Sequence, residues 1–312
     1  MGTLRNYGFE MEVRANILNN PKGLTWDVTA NLSSVANKIV KLPYNGNPNN
    51  RVGGYEVATG RKKADGTDET KWIAGRQEGG KLGELVAYKQ NHIFKDWDDV
   101  KKYANNRIDE VANLYGPGLA AQYAGKEGWQ PIEPGDVCWE DINGDGVING
   151  YDRQVVGNIF PKVTGGFSTT LGYKNLSLYA RFDYALGHTI YNDLAARSLG
   201  QYQGSFNIIK EVKKTWSETN TDTDLPAFYY ADQLSKKNIT RSNNGLTAID
   251  NNSSRFYEKG DYLALRELTL NYNLPKTWIS KVGMTDASVY VTGQNLFYIC
   301  LLYTSDAADD LT

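Results

Sequence analysis

Cysteine and histidine are almost missing from these 312 residues, with two of each: Cys138 and Cys300, His92 and His188. Two cysteines are too few for a disulfide framework. Neither histidine has a partner at metal or triad spacing, so no catalytic site is expected and the chain does not read as an enzyme. An excess of one charge is lacking as well. The formal net charge is −2, from 34 Lys and Arg against 36 Asp and Glu, which gives no electrostatic case for nucleic acid. No apolar run approaches the ~20 residues of a membrane helix. The residues after Met1, GTLRNYGFEMEV, read as a strand and not as a signal peptide. The expectation is a cytosolic chain or a piece of something longer.

What is abundant points to β-structure. Aromatics reach 12%, with 21 Tyr and 7 Trp, and 31 Gly supply turns. Tyr7, Phe9, Met11, Val13, Ala15 and Ile17 alternate with Gly8, Glu10, Glu12, Arg14 and Asn16. That is a period of two over about eleven residues, the length that crosses a bilayer as a tilted strand. Asn19-Asn20-Pro21-Lys22-Gly23 is a tight turn. Leu24, Trp26, Val28, Ala30 and Leu32 then alternate with Thr25, Asp27, Thr29, Asn31 and Ser33. In a soluble sandwich the apolar face of this hairpin packs on a second sheet. In a membrane barrel it meets lipid, and Glu10, Glu12, Arg14 and Asp27 face a wet lumen. Strand length favours the barrel, because soluble strands usually run to about five or six residues.

The pattern breaks from Tyr44 to Gly135, a long polar excursion with one helical candidate, Asp96 to Leu114, in which Asp96 is the cap. Trp72, Trp97 and Trp129 could stack on a sugar or peptide, although such residues are more often the cores of folded loops. Long strands return at Phe167–Tyr173 and Leu176–Leu186. A second polar excursion, Gly187 to Ser254, carries a short amphipathic segment, Phe206 to Trp216. Strands over Tyr262–Leu274 and Ala287–Leu296 follow, with a helical turn at Lys276–Val282 between them. Short turns alternating with very long loops are how outer-membrane barrels are built.

Between the excursions lies DVCWEDINGDGVINGYDRQVVGN, Asp136 to Asn158. Asp141, Asn143, Asp145, Asn149 and Asp152 place oxygen side chains at positions 1, 3, 5, 9 and 12 of a calcium-loop pattern. Gly146 stands at the sharp turn, and the carbonyl of Val147 can add a backbone oxygen. Asp152 replaces the usual bidentate Glu, and the flanks lack a helix pair, so a lone Ca2+ loop is expected and not a calcium switch. The other reading is a turn held by its own Asx hydrogen bonds, with no metal.

Four stretches together resemble the C-terminal half of the SusC/RagA family of TonB-linked outer-membrane transporters. They are GTLRNYGFEMEVRANIL, PGDVCWEDINGDGVINGYDRQVVGN with FPKVTGGF, RFYEKGDYLALRELTLNYNLP, and VYVTGQNLF. The resemblance implies an all-β fold: part of an antiparallel transmembrane β-barrel of about 22 strands in the bacterial outer membrane, with extracellular loop regions 44–135 and 187–254. It also implies import of oligosaccharides or peptides, a SusD-like surface lipoprotein as lid, and TonB acting through a region before Met1. Residues 1–297 are assigned to the barrel. Residues 298–312, with CLLYTSDAADD, resemble a translated sequencing adapter and are expected to be a non-native tail. The main alternative is a secreted, calcium-stabilised β-sandwich that binds carbohydrate. A glycoside hydrolase is a distant third, because nothing places two carboxylates across a cleft.

Overall fold

A computed structural model of the chain describes residues 2–20, 23–103, 134–145, 150–196, 210–228 and 253–300. The long strands are β1 (Thr3–Asn19), β2 (Leu24–Lys41), β9 (Val163–Tyr173), β10 (Leu176–Leu186), β13 (Tyr262–Asn273) and β14 (Ser288–Cys300). Between them lie β3 (Tyr55–Lys62), β4 (Asp68–Ile73), β5 (Glu84–Tyr88), β6 (Gln90–Ile93), β7 (Val137–Trp139), β8 (Arg153–Asn158), β11 (Thr189–Tyr191) and β12 (Tyr257–Lys259). The chain divides into two compact units, one built on the long strands and one on 39–158 and 190–258.

The long strands form one antiparallel sheet in the order β1-β2-β9-β10-β13-β14. Its registers align apolar residues in cross-strand rows. One row is Leu24, Tyr173, Leu176, Tyr272 and Val289; the next is Trp26, Leu171, Leu178, Leu270 and Val291. Val28, Thr169, Ala180, Leu268 and Gly293 follow, then Ala30, Phe167, Phe182, Leu265 and Phe297, then Leu32, Gly165, Tyr184, Leu263 and Ile299. Rows two residues apart at about 3.4 Å per residue make a band of roughly 27 Å, close to the apolar belt of a membrane barrel. Where polar atoms enter the band they are bonded. The indole N–H of Trp26 donates to Oγ1 of Thr169 at 2.9 Å, and the Tyr184 hydroxyl donates to the Asn31 carbonyl at 3.2 Å. Gly165 makes room for that second contact: a Cβ there would meet the Asn31 oxygen at 2.3 Å and the Tyr184 hydroxyl at 2.6 Å.

β13 carries the one irregularity that keeps the rows intact. Its apolar phase switches from Leu263 and Leu265 to Leu268, Leu270 and Tyr272, and the sheet absorbs the switch as a bulge at Arg266. On β14 the compensating residue, Asn295, takes a left-handed φ of 51°. Arg266 then grips Asp183 of β10 with two nitrogens, Nε and Nη2, the latter at 3.0 Å, and donates to Oδ1 of Asn295 at 3.1 Å.

The expected strands are present: β1, β2, β9 and β14 run longer than the alternation suggests, with β1 reaching Thr3 and Asn19, β10 has the expected bounds, and β13 ends one residue earlier, at Asn273. β14 runs on through Tyr298–Cys300, which pair with Tyr262–Ala264 although the sequence assigns them to the tail. The helical turn expected at Lys276–Val282 is found as a short α-helix at Lys276–Ile279 followed by a 3-10 turn at Ser280–Val282. The excursion 44–135 contains more regular structure than the one helix expected in it. Beside the expected helix, its described residues also hold β3 to β6, short strands that the sequence pattern does not separate from the surrounding loop. The helix expected over Asp96–Leu114 spans Trp97–Lys102, capped by Asp96, whose Oδ1 accepts from Asp99 N at 2.8 Å; residues 104–114 and 206–209 lie outside the described residues.

Deleting Arg266 should throw Tyr262–Leu265 out of phase with the apolar rows. The protein should then fail to reach a compact, heat-modifiable form on gels. Arg266→Lys keeps the phase, loses the two-point grip on Asp183, and should cost only about 1 kcal/mol in urea unfolding of detergent-refolded protein.

Candidate functional site

Opposite the apolar rows, the sheet is polar. Arg14 Nε pairs with Oε1 of Glu12 at 2.5 Å, Asn16 donates to Asp27, and Arg181 stands 3.7 Å from Glu267. The Tyr262 hydroxyl donates to Oδ2 of Asp183 at 3.1 Å, beside the Arg266 grip. Thr29, Asn31, Ser168, Arg181, Asp183 and Arg266 line a depression of about 440 Å3. Alternating charges and hydroxyls of this kind can hydrogen-bond a polar molecule. Among the described residues they form no nucleophile–base pair.

The calcium-like loop sits in the other unit, and its position has a simple origin. β6 pairs with β7 and β5 pairs with β8, so one ribbon, 84–93, carries both partners end to end. Trp139 faces Gln90 and Arg153 faces Tyr88. Residues 140–152 are therefore an excursion whose two ends return to ladder positions only two residues apart. Beneath it lies a core in which Tyr88, Ile93, Phe94, Val137, Cys138, Trp139 and Phe256 are fully buried, with the Tyr88 and Trp139 rings edge-on at 6.2 Å.

The closed neck brings Asp152 back to the loop start, where it is completely buried and its Oδ1 accepts from Ile142 N at 2.8 Å. Asp141 Oδ1 accepts from Gly144 N at 2.7 Å. Asn143 Nδ2 donates to Oδ2 of Asp145 at 2.8 Å and to Oδ2 of Asp68 on β4 at 3.1 Å, tying the loop to the β3–β4 hairpin. Lys62, then Asn143, hold the Asp68 carboxyl below the usual carboxylate range. Val147 and Asn149, like Gly146 and Ile148, lie outside the described residues. Among the described residues, no group of three or more His, Cys, Asp or Glu stands close enough to hold a metal ion. The described ligand candidates are engaged in hydrogen bonds: Asx-type turn bonds at Asp141 and Asn143, and a bond across the neck at Asp152.

Of the tryptophans proposed for stacking, Trp72 is covered by the Arg51 guanidinium, 3.1 Å from its ring centre, and Trp97 is exposed. Trp129 lies outside the described residues. His92, isolated in the sequence, does have a partner: Nε2 lies 3.0 Å from Oδ2 of Asp99, and Cys138 faces it across the β6–β7 ladder. The trio is no cysteine nucleophile. Burial, with the Asp99 charge adding to it, pushes the Cys138 thiol up to about 12, so it stays protonated. Nearby, burial pushes Tyr257 up to about 12 and Arg255 down to about 10, the latter partly opposed by Asp224.

These shifts set a pH response. For Cys138 and Tyr257 the unfolded chain releases its proton first, so stability is full below the unfolded values of 9.0 and 10.0 and falls as pH rises toward about 12. Arg255 acts in the other direction above about pH 10. Between about pH 9 and 10 the Cys138 effect stands alone, and Cys138→Ala should flatten the fall in the thermal midpoint read by tryptophan fluorescence.

No family model matches the chain. It is similar to TonB-dependent receptor P3 of Formosa agariphila, at 27% identity over 95% of this chain and 24% of that protein. TonB-dependent receptor P26 of the same organism is 32% identical over 53% of this chain and 15% of its own length. Among solved structures, the RagAB peptide transporter matches with a TM-score of 0.60 at 19% identity, over 96% of this chain and 26% of that one. The RagAB peptide importer in its open-open state matches with a TM-score of 0.54 at 20% identity. The chain thus spans about a quarter of the length of the TonB-dependent receptor it matches almost throughout. Over nearly its whole length the chain is similar to a stretch of TonB-dependent receptors, and its antiparallel sheet of two-faced long strands has the fold of part of the RagAB transporter structures.

Proposed function

We propose that the chain is part of an outer-membrane importer that takes up oligosaccharides or peptides, energised through TonB and lidded by a SusD-like lipoprotein. The observation that carries this reading is the band of aligned apolar rows. Leu171, Leu178, Leu270, Val289 and Val291 are exposed, as a lipid-facing surface requires and a sandwich interior does not. The charged face then borders the substrate path, with Arg181, Asp183 and Arg266 at its depression. The relatives are receptors and transporters by name, and the structural neighbours are named for peptide transport. Those names support the class of function; the choice between sugar and peptide belongs to the experiment.

Calcium is the second part of the proposal. Asp141, Asn143, Asp145, Val147, Asn149 and Asp152 would hold the ion by side-chain and carbonyl oxygen, replacing turn hydrogen bonds with ionic ones and stiffening the loop. The buried Asp152 supports this reading. Excess Ca2+ should raise the midpoint of thermal unfolding, with Mg2+ much less effective, and Asp152→Asn should abolish the rise. An unchanged midpoint leaves the Asx-turn reading in its place.

The transport proposal is tested by deleting the gene in its host and growing the strain on defined oligosaccharides, on oligopeptides and on their monomers. Loss of growth on one oligomer class, with monomers unaffected, is the expected result. Normal growth on all, together with a purified chain that stays soluble without detergent, would overturn it.

A further inference from the structure

Between β13 and β14 the chain makes a connection, 274–287, at the same end of the sheet as the β9–β10 turn. Its helical turns are closed by a Schellman-type stop: Met284 N donates to Ile279 O at 3.1 Å and Gly283 N to Ser280 O at 3.1 Å, with Gly283 at φ +76°. The connection is therefore shaped, and Ile279 is its buried residue. Three large apolar side chains point away from the protein: Trp278 is 61% exposed, Val282 68% and Met284 52%. Single exposed apolar residues need no explanation, but three on one short ordered turn form a patch.

The connection that carries them follows directly on the apolar rows already described. The ladder runs from the Leu274 N to Ala287 O bond into the pair Tyr272 and Val289, the outermost apolar row, which also contains Tyr173. Lysines accompany the aromatics. Lys174 Nζ lies 5.2 Å over the Tyr173 ring, Lys276 and Lys281 flank Trp278, and Asp286 is the only acid in 274–287. Tryptophan and tyrosine at the edge of an apolar band, with lysines whose stems lie on apolar surface and whose amines reach outward, match the chemistry of a bilayer's headgroup layer.

We propose that the 274–287 connection is a lipid anchor on the short-turn side of the membrane. Trp278, Val282 and Met284 seat among the upper acyl chains, and Lys276 and Lys281 reach lipid phosphate. The proposal rests on the membrane-spanning reading above. It gives that reading a fixed depth: the outermost row marks the hydrocarbon boundary, and the anchor resists movement of the β13–β14 hairpin along the membrane normal.

The test uses the intact receptor in vesicles of phosphatidylethanolamine and phosphatidylglycerol, with Val282→Cys or Leu268→Cys carrying a bimane label. Leu268 belongs to the middle apolar row. Lipids brominated high on the chain should quench the Val282 label roughly twofold more than lipids brominated near its middle. The Leu268 label should show the opposite preference. An unquenched Val282 label beside a quenched Leu268 label would overturn the anchor and leave the spanning sheet standing. An unquenched Leu268 label would overturn the spanning reading itself. Lys276→Glu combined with Lys281→Glu should weaken the shallow quenching in vesicles containing phosphatidylglycerol more than in purely zwitterionic ones; equal quenching in both would remove the lysines from the proposal.

Discussion

The two-residue period of the strands is the constraint on which the sheet depends. A bilayer offers the backbone no hydrogen bonds, so the strands must pair throughout, and pairing fixes each side chain to one face or the other. Any one-residue slip would turn an apolar row into a charged one. β13 contains such a slip in its sequence, and the bulge at Arg266 cancels it locally instead of letting it propagate. The extra residue also becomes useful. Its guanidinium reaches Asp183 on the neighbouring strand and ties the irregular point to the regular one. Correct phase and a bidentate ion pair thus come from a single residue.

The second unit follows another rule. Its strands are short, and its core is aromatic, with Trp139, Tyr88, Phe94 and Phe256 fully enclosed. A module of this kind presents loops from a packed base, so the side chains it offers are held in position and cost less entropy on contact with a ligand. Charge on the polar face of the sheet and order in the loop module are two separate devices.

Legibility in the sequence tracks exposure of one face. β1, β2, β9 and β10 could be read because one side of each is apolar and the other polar. The cap at Asp96 could be read because its chemistry is local. β5 to β8 could not, since residues such as Ala87, Tyr88, Val137, Cys138 and Trp139 are buried in succession and leave no alternation. The phase switch around Arg266 was present in LALRELTL, but only pairing with both neighbours turns it into a bulge. His92 and Asp99 are seven residues apart with a helix start between them, and no spacing rule predicts their contact. At the calcium-like loop, residue types suggest ligands, whereas the visible geometry is that of Asx turns; the same oxygens satisfy either pattern.

The narrow neck of residues 140–152 has a consequence for how such a surface diversifies. Because both ends of the excursion return to neighbouring rungs of one ladder, its length is not coupled to the pairing of β5 with β8 or of β6 with β7. Residues can be gained, lost or exchanged there without shifting the register of the buried aromatic base. The paired strands and the excursion they carry can therefore change independently, the excursion in length and composition and the strands in neither.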